Sequence, residues 1–387
     1  MYYFFERLSD FKIYSSVKLY SFIICSLGLL NSSLVSANSC RFADDNPVGN
    51  RGVSVTMPLL GGNLTVGRDV PLGAEVYRQT FYPATAIRVT CNNIVTDAIE
   101  RNFFTSTPLP LSSWSSSPYG GKVYESGVPG IGIVITHGSD AVPYDWSWKN
   151  CTGFPGACTV AITPGTTSFT LLLIKIGPVS AGVINGSNIP STARYLISGN
   201  TIDPVRLSFN GNINIVSRTC STPDISVPMG SHKLSEFSGK DTYTPWKDFS
   251  ISLNNCPAFN GYFRASGPNW TSNGETGSAD NLNSRKNNAL QIRLDPTTIA
   301  INPALGILSL TPTAPGENPT AKGVGLQLAD SSGGPLPLAI LRPSGITARA
   351  DEGASYSIPL RARYIQVEDT ITAGPANASA VFTIDYQ

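Results

Sequence analysis

The stretch GPANASAVFTIDYQ, residues 374–387, decides how this chain is to be read. From Ala376 onward every even position is apolar: Ala376, Ala378, Ala380, Phe382, Ile384 and Tyr386. The positions between them, Asn377, Ser379, Thr383 and Asp385, are polar, with Val381 the exception. Such period-two alternation is the pattern of a half-buried β-strand. Chain ends fray unless something ties them down, so this strand is expected to have a partner that holds it.

The same reading extends over the rest of the chain. The 36 Gly and 29 Pro punctuate short apolar runs, and no convincing helical stretch of ten residues stands out. Strands are predicted at 53–57, 86–91, 131–136, 169–176, 205–209, 212–216, 249–253, 290–294, 324–328 and 356–365. In the last of these Tyr356, Ile358, Leu360, Ala362 and Tyr364 share one face. The fold class is therefore all-β, and length suggests about two domains. The polar, turn-rich SGNTIDP at 198–204 is the predicted boundary, giving 38–202 and 203–387.

Residues 1–37 read as an export signal. Arg7, Lys12 and Lys18 precede an apolar run from Leu19 to Leu30, and Val35 and Ala37 are placed for cleavage after Ala37. Cys25 goes with the signal, leaving Cys40, Cys91, Cys151, Cys158, Cys220 and Cys256. An even count in an exported chain favours disulfides, and chain order suggests 40–91, 151–158 and 220–256. No metal or other cofactor is expected: the spacing of zinc sites is absent and the chain has 2 His. A formal net charge of +1 with 14% charged residues offers no patch for nucleic acid. No G-x-S-x-G elbow, H-E-x-x-H or P-loop is present, so no enzyme is expected.

Three stretches of the second half together resemble a chaperone–usher pilin domain: LSFNGNINIVSRTC (207–220), DFSISLNNC (248–256), and IPLRARYI (358–365) followed by AGPANASAVFTIDYQ (373–387). The tail is the most specific match, with Gly374 fourteenth from the end and Tyr386 penultimate. The resemblance implies two β-sandwich domains. The C-terminal one would be an incomplete immunoglobulin-like fold, completed by a strand donated from another chain. Gly374, Ala380, Phe382, Ile384, Tyr386 and Gln387 would form the chaperone and donor-strand interface, the Gln387 carboxylate being the chaperone's anchor. The implied partners are a periplasmic pilus chaperone, an outer-membrane usher, an adjacent pilin subunit and a host glycan or glycoprotein receptor.

Only Asn38 and Ser39 would precede Cys40, leaving no segment free to be donated, which implies a tip subunit exported through the periplasm. GVPGIGIVI (127–135) and LLLIKIGPVSAGVI (171–184) resemble stretches of tip-adhesin domains. Residues 38–202 would then be a lectin-like receptor-binding domain. The alternative is a structural adaptor or capping subunit. Sugar sites combine an aromatic face with carboxylates and amides. The best match is the loop 139–158, with Asp140, Tyr144, Asp145, Trp146, Trp148 and Asn150, followed by Trp114 and Tyr119.

Overall fold

The computed structural model describes residues 39–92, 98–148, 156–274 and 276–387, without the side chain of Trp148. The expected export signal, Asn150 and Cys151, and with Cys151 the expected 151–158 bridge, therefore lie outside the described residues. Strands dominate throughout. The first are β1 (Ser39–Phe42), β2 (Val53–Pro58), β3 (Gly62–Thr65), β4 (Glu75–Pro83), β5 (Ile87–Asn92) and β6 (Ala98–Ser106). Next come β7 (Tyr124–Glu125), β8 (Ile131–His137), β9 (Asp140–Ala141), β10 (Tyr144–Trp148), β11 (Cys158–Ile162) and β12 (Phe169–Lys175). They are followed by β13 (Gly182–Asn185), β14 (Ser191–Ser198), β15 (Asn200–Asn210), β16 (Asn212–Val216), β17 (Lys247–Cys256), β18 (Asn269–Ser272) and β19 (Gly277–Asp280). The last are β20 (Leu290–Pro296), β21 (Ile307–Leu308), β22 (Val324–Asp330), β23 (Arg342–Pro343), β24 (Ala354–Gln366) and β25 (Ala380–Tyr386).

Two apolar cores organise these strands. In the first, β12 (FTLLLIK) is buried along its whole length because it lies between β4 and β8, both antiparallel to it. A central strand covered on both faces reads as a continuous apolar run rather than an alternating one. The facing sheet has the order β10-β6-β14-β15-β2. Tyr77, Phe81, Ile133 and Leu171 from one sheet share a core with Val55, Met57, Leu196 and Leu207 from the other. The second core joins Ile251, Leu328, Ile358 and Leu360 of the sheet β17-β24-β22-β21 to Ile292, Leu294, Ile384 and Tyr386 of the sheet β23-β20-β25. Disulfides join Cys40 to Cys91 and Cys220 to Cys256, one in each core.

The predicted boundary at 202–203 meets a continuous element in this packing. It falls inside β15, a continuous strand paired with β14 and β2, while β16 pairs with β13 and β3. Val205, Leu207, Phe209, Ile213 and Ile215 are buried in the first core, and the second begins at Cys220. The stretch LSFNGNINIV, which the resemblance places at the start of the second half, pairs here with strands of the first. Its apolar positions need neighbours on both sides, and β2, β3 and β14 supply them.

The two cores are also stitched together beyond this crossing. After Cys256 the chain returns to the first core: Phe263, 1% exposed, meets Tyr77 edge-on with ring centroids 5.8 Å apart. The hairpin β18–β19 adds to the first sheet through a parallel pairing of β18 with β4. The Arg285 guanidinium donates to the carbonyls of Gly61 (2.8 Å) and Asn63 (2.7 Å) and lies over the Phe263 ring. Residues Asn38–Gln387 accordingly form one compact unit.

Candidate ligand-binding and strand-accepting sites

On the inward face of β6 the alternation Ala98, Glu100, Asn102 places a carboxylate where an apolar side chain would be expected. β14 does the same with Arg194 between Thr192 and Leu196. Glu100 and Arg194 are each 5% exposed, and Arg194 Nη2 donates to Glu100 Oε2 at 2.5 Å. A buried charge must be paired and hydrogen-bonded, and this pair is. Asn102 Nδ2 donates to Glu100 Oε1 (3.1 Å), and Arg194 Nη1 donates to Thr166 O (2.8 Å) and Thr167 Oγ1 (3.2 Å).

This polar floor underlies a cavity of about 440 Å³. Its walls include His137 at the end of β8, Asp140 in β9, and Tyr144 and Trp146 in β10. In register, Trp146 lies opposite Glu100 and Tyr144 opposite Asn102. Trp146 is 62% exposed at the rim, a large aromatic face held over a charged floor. His137 Nδ1 and the Tyr144 hydroxyl are 2.5 Å apart, and His137 Nε2 is 3.0 Å from Thr166 O. A larger open groove of about 1190 Å³ runs past Arg51, Thr56, Asp203 and Asn273. It lacks an exposed aromatic wall, so the smaller cavity is the stronger candidate.

Burial and the neighbouring Arg194 hold the His137 imidazole below its usual pKa, with Glu100 and Asp140 pulling the other way. Burial first, then Glu100, raises that of Tyr144. The sign for His137 follows. The unfolded chain takes up the proton first, so stability contributed by neutral His137 is complete above about pH 6.5 and is lost as pH falls below it. Thermal melts between pH 7.5 and 5 should show wild type losing more stability than His137→Gln. Parallel curves would refute this.

The structure brings Asp140, Tyr144 and Trp146 together and separates the other expected residues. Asp145 points to the opposite face of β10 and accepts two hydrogen bonds from Arg101, at 2.9 and 2.8 Å. Trp114 and Tyr119 pack on a small satellite core of Val123, Val134, Ala141, Leu172 and Ile174, away from the cavity. For Trp148 only the strand position is described, and Asn150 lies outside the described residues. Glu100, His137, Thr166 and Arg194 escaped the sequence reading. The available signal was a charge in the inward phase of an alternating strand.

The second site is β25. It pairs with β20 along one edge, from Leu290 opposite Tyr386 to Pro296 opposite Ala380, and stands at the end of its sheet. No described strand pairs with its other edge. Ala376, Ala378, Ala380 and Phe382 stay half-buried against the second core, as do Ile225 and Met229. Residues 222–231 carry no backbone–backbone hydrogen bond, although the Cys220 amide just before them donates to the Tyr386 hydroxyl at 3.1 Å. Toward the chain end this edge meets residues 68–69: the Asp69 amide donates to Tyr386 O and Arg68 Nη2 to Ile384 O, each at 3.2 Å. From Ala380 to Phe382 no described strand covers it, and such an edge beside half-covered apolar side chains is a template for another strand. Gly374 is required sterically, because a Cβ there would lie 2.2 Å from Pro319 O. Gln387 is held on the β20 side: its backbone amide donates to Ala289 O at 2.9 Å, and its carbonyl accepts from Ala289 N and Asn288 Nδ2. Asp69 of the first half accepts from the Tyr386 amide at 3.0 Å.

Among the described residues no group of three or more His, Cys, Asp or Glu could hold a metal ion. No helix there is long and apolar enough to cross a membrane.

Sequence comparison finds the family described as Fimbrial protein over residues 207–387. A type-1 fimbrial protein subunit of Serratia marcescens is 30% identical over 176 residues, covering 44% of this chain and 78% of that protein. Among solved structures, the receptor-binding domain of the adhesin MrkD1P of Klebsiella pneumoniae is 22% identical, with a TM-score of 0.30. That alignment covers 48% of this chain and 99% of the domain. The CupB6 tip adhesin of Pseudomonas aeruginosa is 15% identical, covering 90% of this chain and 93% of that one, with a TM-score of 0.31. Assignment rests on the sequence matches, and the family match spans the disulfide Cys220–Cys256 and the edge strand β25. On that basis the chain belongs to the fimbrial protein family.

Proposed function

We propose that this protein is a tip adhesin of a chaperone–usher fimbria. Its first core would bind a host glycan, and its second would anchor it in the fibre by accepting a donated strand. The observation that carries the reading is the cavity under Trp146, built entirely by the first core and lying outside the segment matched by the fimbrial family. An exposed aromatic ring beside Asp140 and the Tyr144 hydroxyl supplies the stacking face and polar partners that sugar recognition uses. The part of the β25 edge that no described strand covers, around Ala380–Phe382, supports the anchoring role and, with it, a periplasmic chaperone, an usher and a neighbouring pilin as partners. β1 supports the tip position. It is engaged in its own sheet, with Cys40 bonded to Cys91 and its amide donating to Asn200 Oδ1, so it is not a strand offered to a neighbour.

The test is Trp146→Ala, assayed on glycan arrays, host cells and purified fimbrial subunits. Because Trp146 is 62% exposed, the melt should move by no more than about 0.5 kcal/mol. Glycan binding should fall at least about tenfold, as for a central aromatic contact. Unchanged glycan binding would place the site elsewhere. Binding only to another fimbrial subunit would favour an adaptor.

A further inference from the structure

We infer that the cavity selects uncharged, polyhydroxylated sugars and rejects acidic ones, an inference that rests on the sugar-site reading above. Selection follows from which charges in the lining remain available. Arg194 is the cation of the described lining, and both its terminal nitrogens are engaged: Nη2 with Glu100, and Nη1 with Thr166 O and Thr167 Oγ1. Paired with Glu100 and only 5% exposed, it offers little surface to an incoming carboxylate or sulfate. Both ring nitrogens of His137 are likewise engaged, by the Tyr144 hydroxyl and by Thr166 O. Burial keeps that ring neutral at ordinary pH.

Nearby cations face elsewhere. Lys122 donates to the carbonyls of Ala141 and Pro143, and Arg101 is paired with Asp145 on the outer face of the sheet. What the cavity does present is negative. Asp140 is exposed on its wall with no ion-pair partner among the described residues, and Glu100 lines it from below. With Glu100 and Arg194 cancelling, the described lining carries one net negative charge. A ring with hydroxyls can donate to Asp140 and stack on Trp146. A sialylated or sulfated ring must bring a second anion against the first.

The test uses the exported chain, 38–387, against immobilised pairs differing by one acidic group. Suitable pairs are lactose with 3′-sialyllactose, and N-acetylglucosamine with its 6-sulfate. The expected result is at least about tenfold weaker binding of the acidic member at low ionic strength, the size of one unscreened repulsion at this range. The gap should narrow as salt is raised. Asp140→Asn, which keeps the shape and removes the charge, should lower the neutral-to-acidic ratio severalfold. Acidic members bound as well as or better than neutral ones would overturn the inference while leaving the sugar site standing. A ratio unmoved by Asp140→Asn would overturn it equally. If no member of any pair binds, both the sugar site and this selectivity fall.

Discussion

Supplying the chain with an alternating apolar strand, as a peptide patterned on a pilin's donor segment, should raise its melting temperature by about 10 °C. The figure follows from area. Ala376, Ala378, Ala380 and Phe382 are half-buried beside an edge of β25 that no described strand covers. Four or five donor side chains laid over that edge stabilise by several kcal/mol at about 25 cal/mol per Å². This is comparable with the total stability of a typical domain. For a domain of this size each kcal/mol moves the melt by about 2–4 °C. A control peptide with Asp at two of its apolar positions should leave the melt where it was. If the native peptide also leaves it unmoved, the edge of β25 is not an acceptor and the anchoring role proposed for the second core loses its support.

The second large effect is at the cavity floor. Glu100→Ala should cost about 3–5 kcal/mol, because it leaves the Arg194 guanidinium buried without its counter-charge. Both side chains are 5% exposed, so solvent screening offers little relief. Replacing the pair together, Glu100→Leu with Arg194→Met, should recover most of the loss, since apolar side chains of similar volume can substitute for a buried ion pair. The recovered double variant should still bind sugar poorly, because the polar floor beneath Trp146 is gone. Denaturant melts on the single and double variants check both points. A cost below about 1 kcal/mol for Glu100→Ala would mean that water reaches Arg194.

Much of the architecture was legible because strand patterns are local. The alternation of Ile358, Leu360, Ala362 and Tyr364 predicts β24, and the apolar run at 169–176 predicts β12, whose central place only the pairing with β4 and β8 reveals. The seam was not legible, because Val205, Leu207 and Phe209 alternate equally well on either side of it. Only the presence of β2, more than a hundred residues earlier, decides which core they enter. The cavity divides in the same way. Tyr144 and Trp146 share one face because alternation in a short strand puts them there. The same alternation turns Asp145 to the other face, where it pairs with Arg101. Glu100 and Arg194 lie 94 residues apart in sequence, and their charges declare themselves only when β6 and β14 become neighbours.

The hairpin β18–β19 has a mechanical meaning. Two bodies joined by one covalent strand swivel, and a pull on one reaches the other only as tension in that thread. Here the C-terminal half also enters the first sheet, where β18 lies along β4, β4 along β12, and β12 along β8. The far end of that relay is His137, a wall of the cavity. Under the adhesin reading proposed above, drag on a fibre would arrive at this wall of the cavity as shear distributed over a row of backbone hydrogen bonds. The sheet that takes up a load on the second half is the one that carries His137 to the cavity.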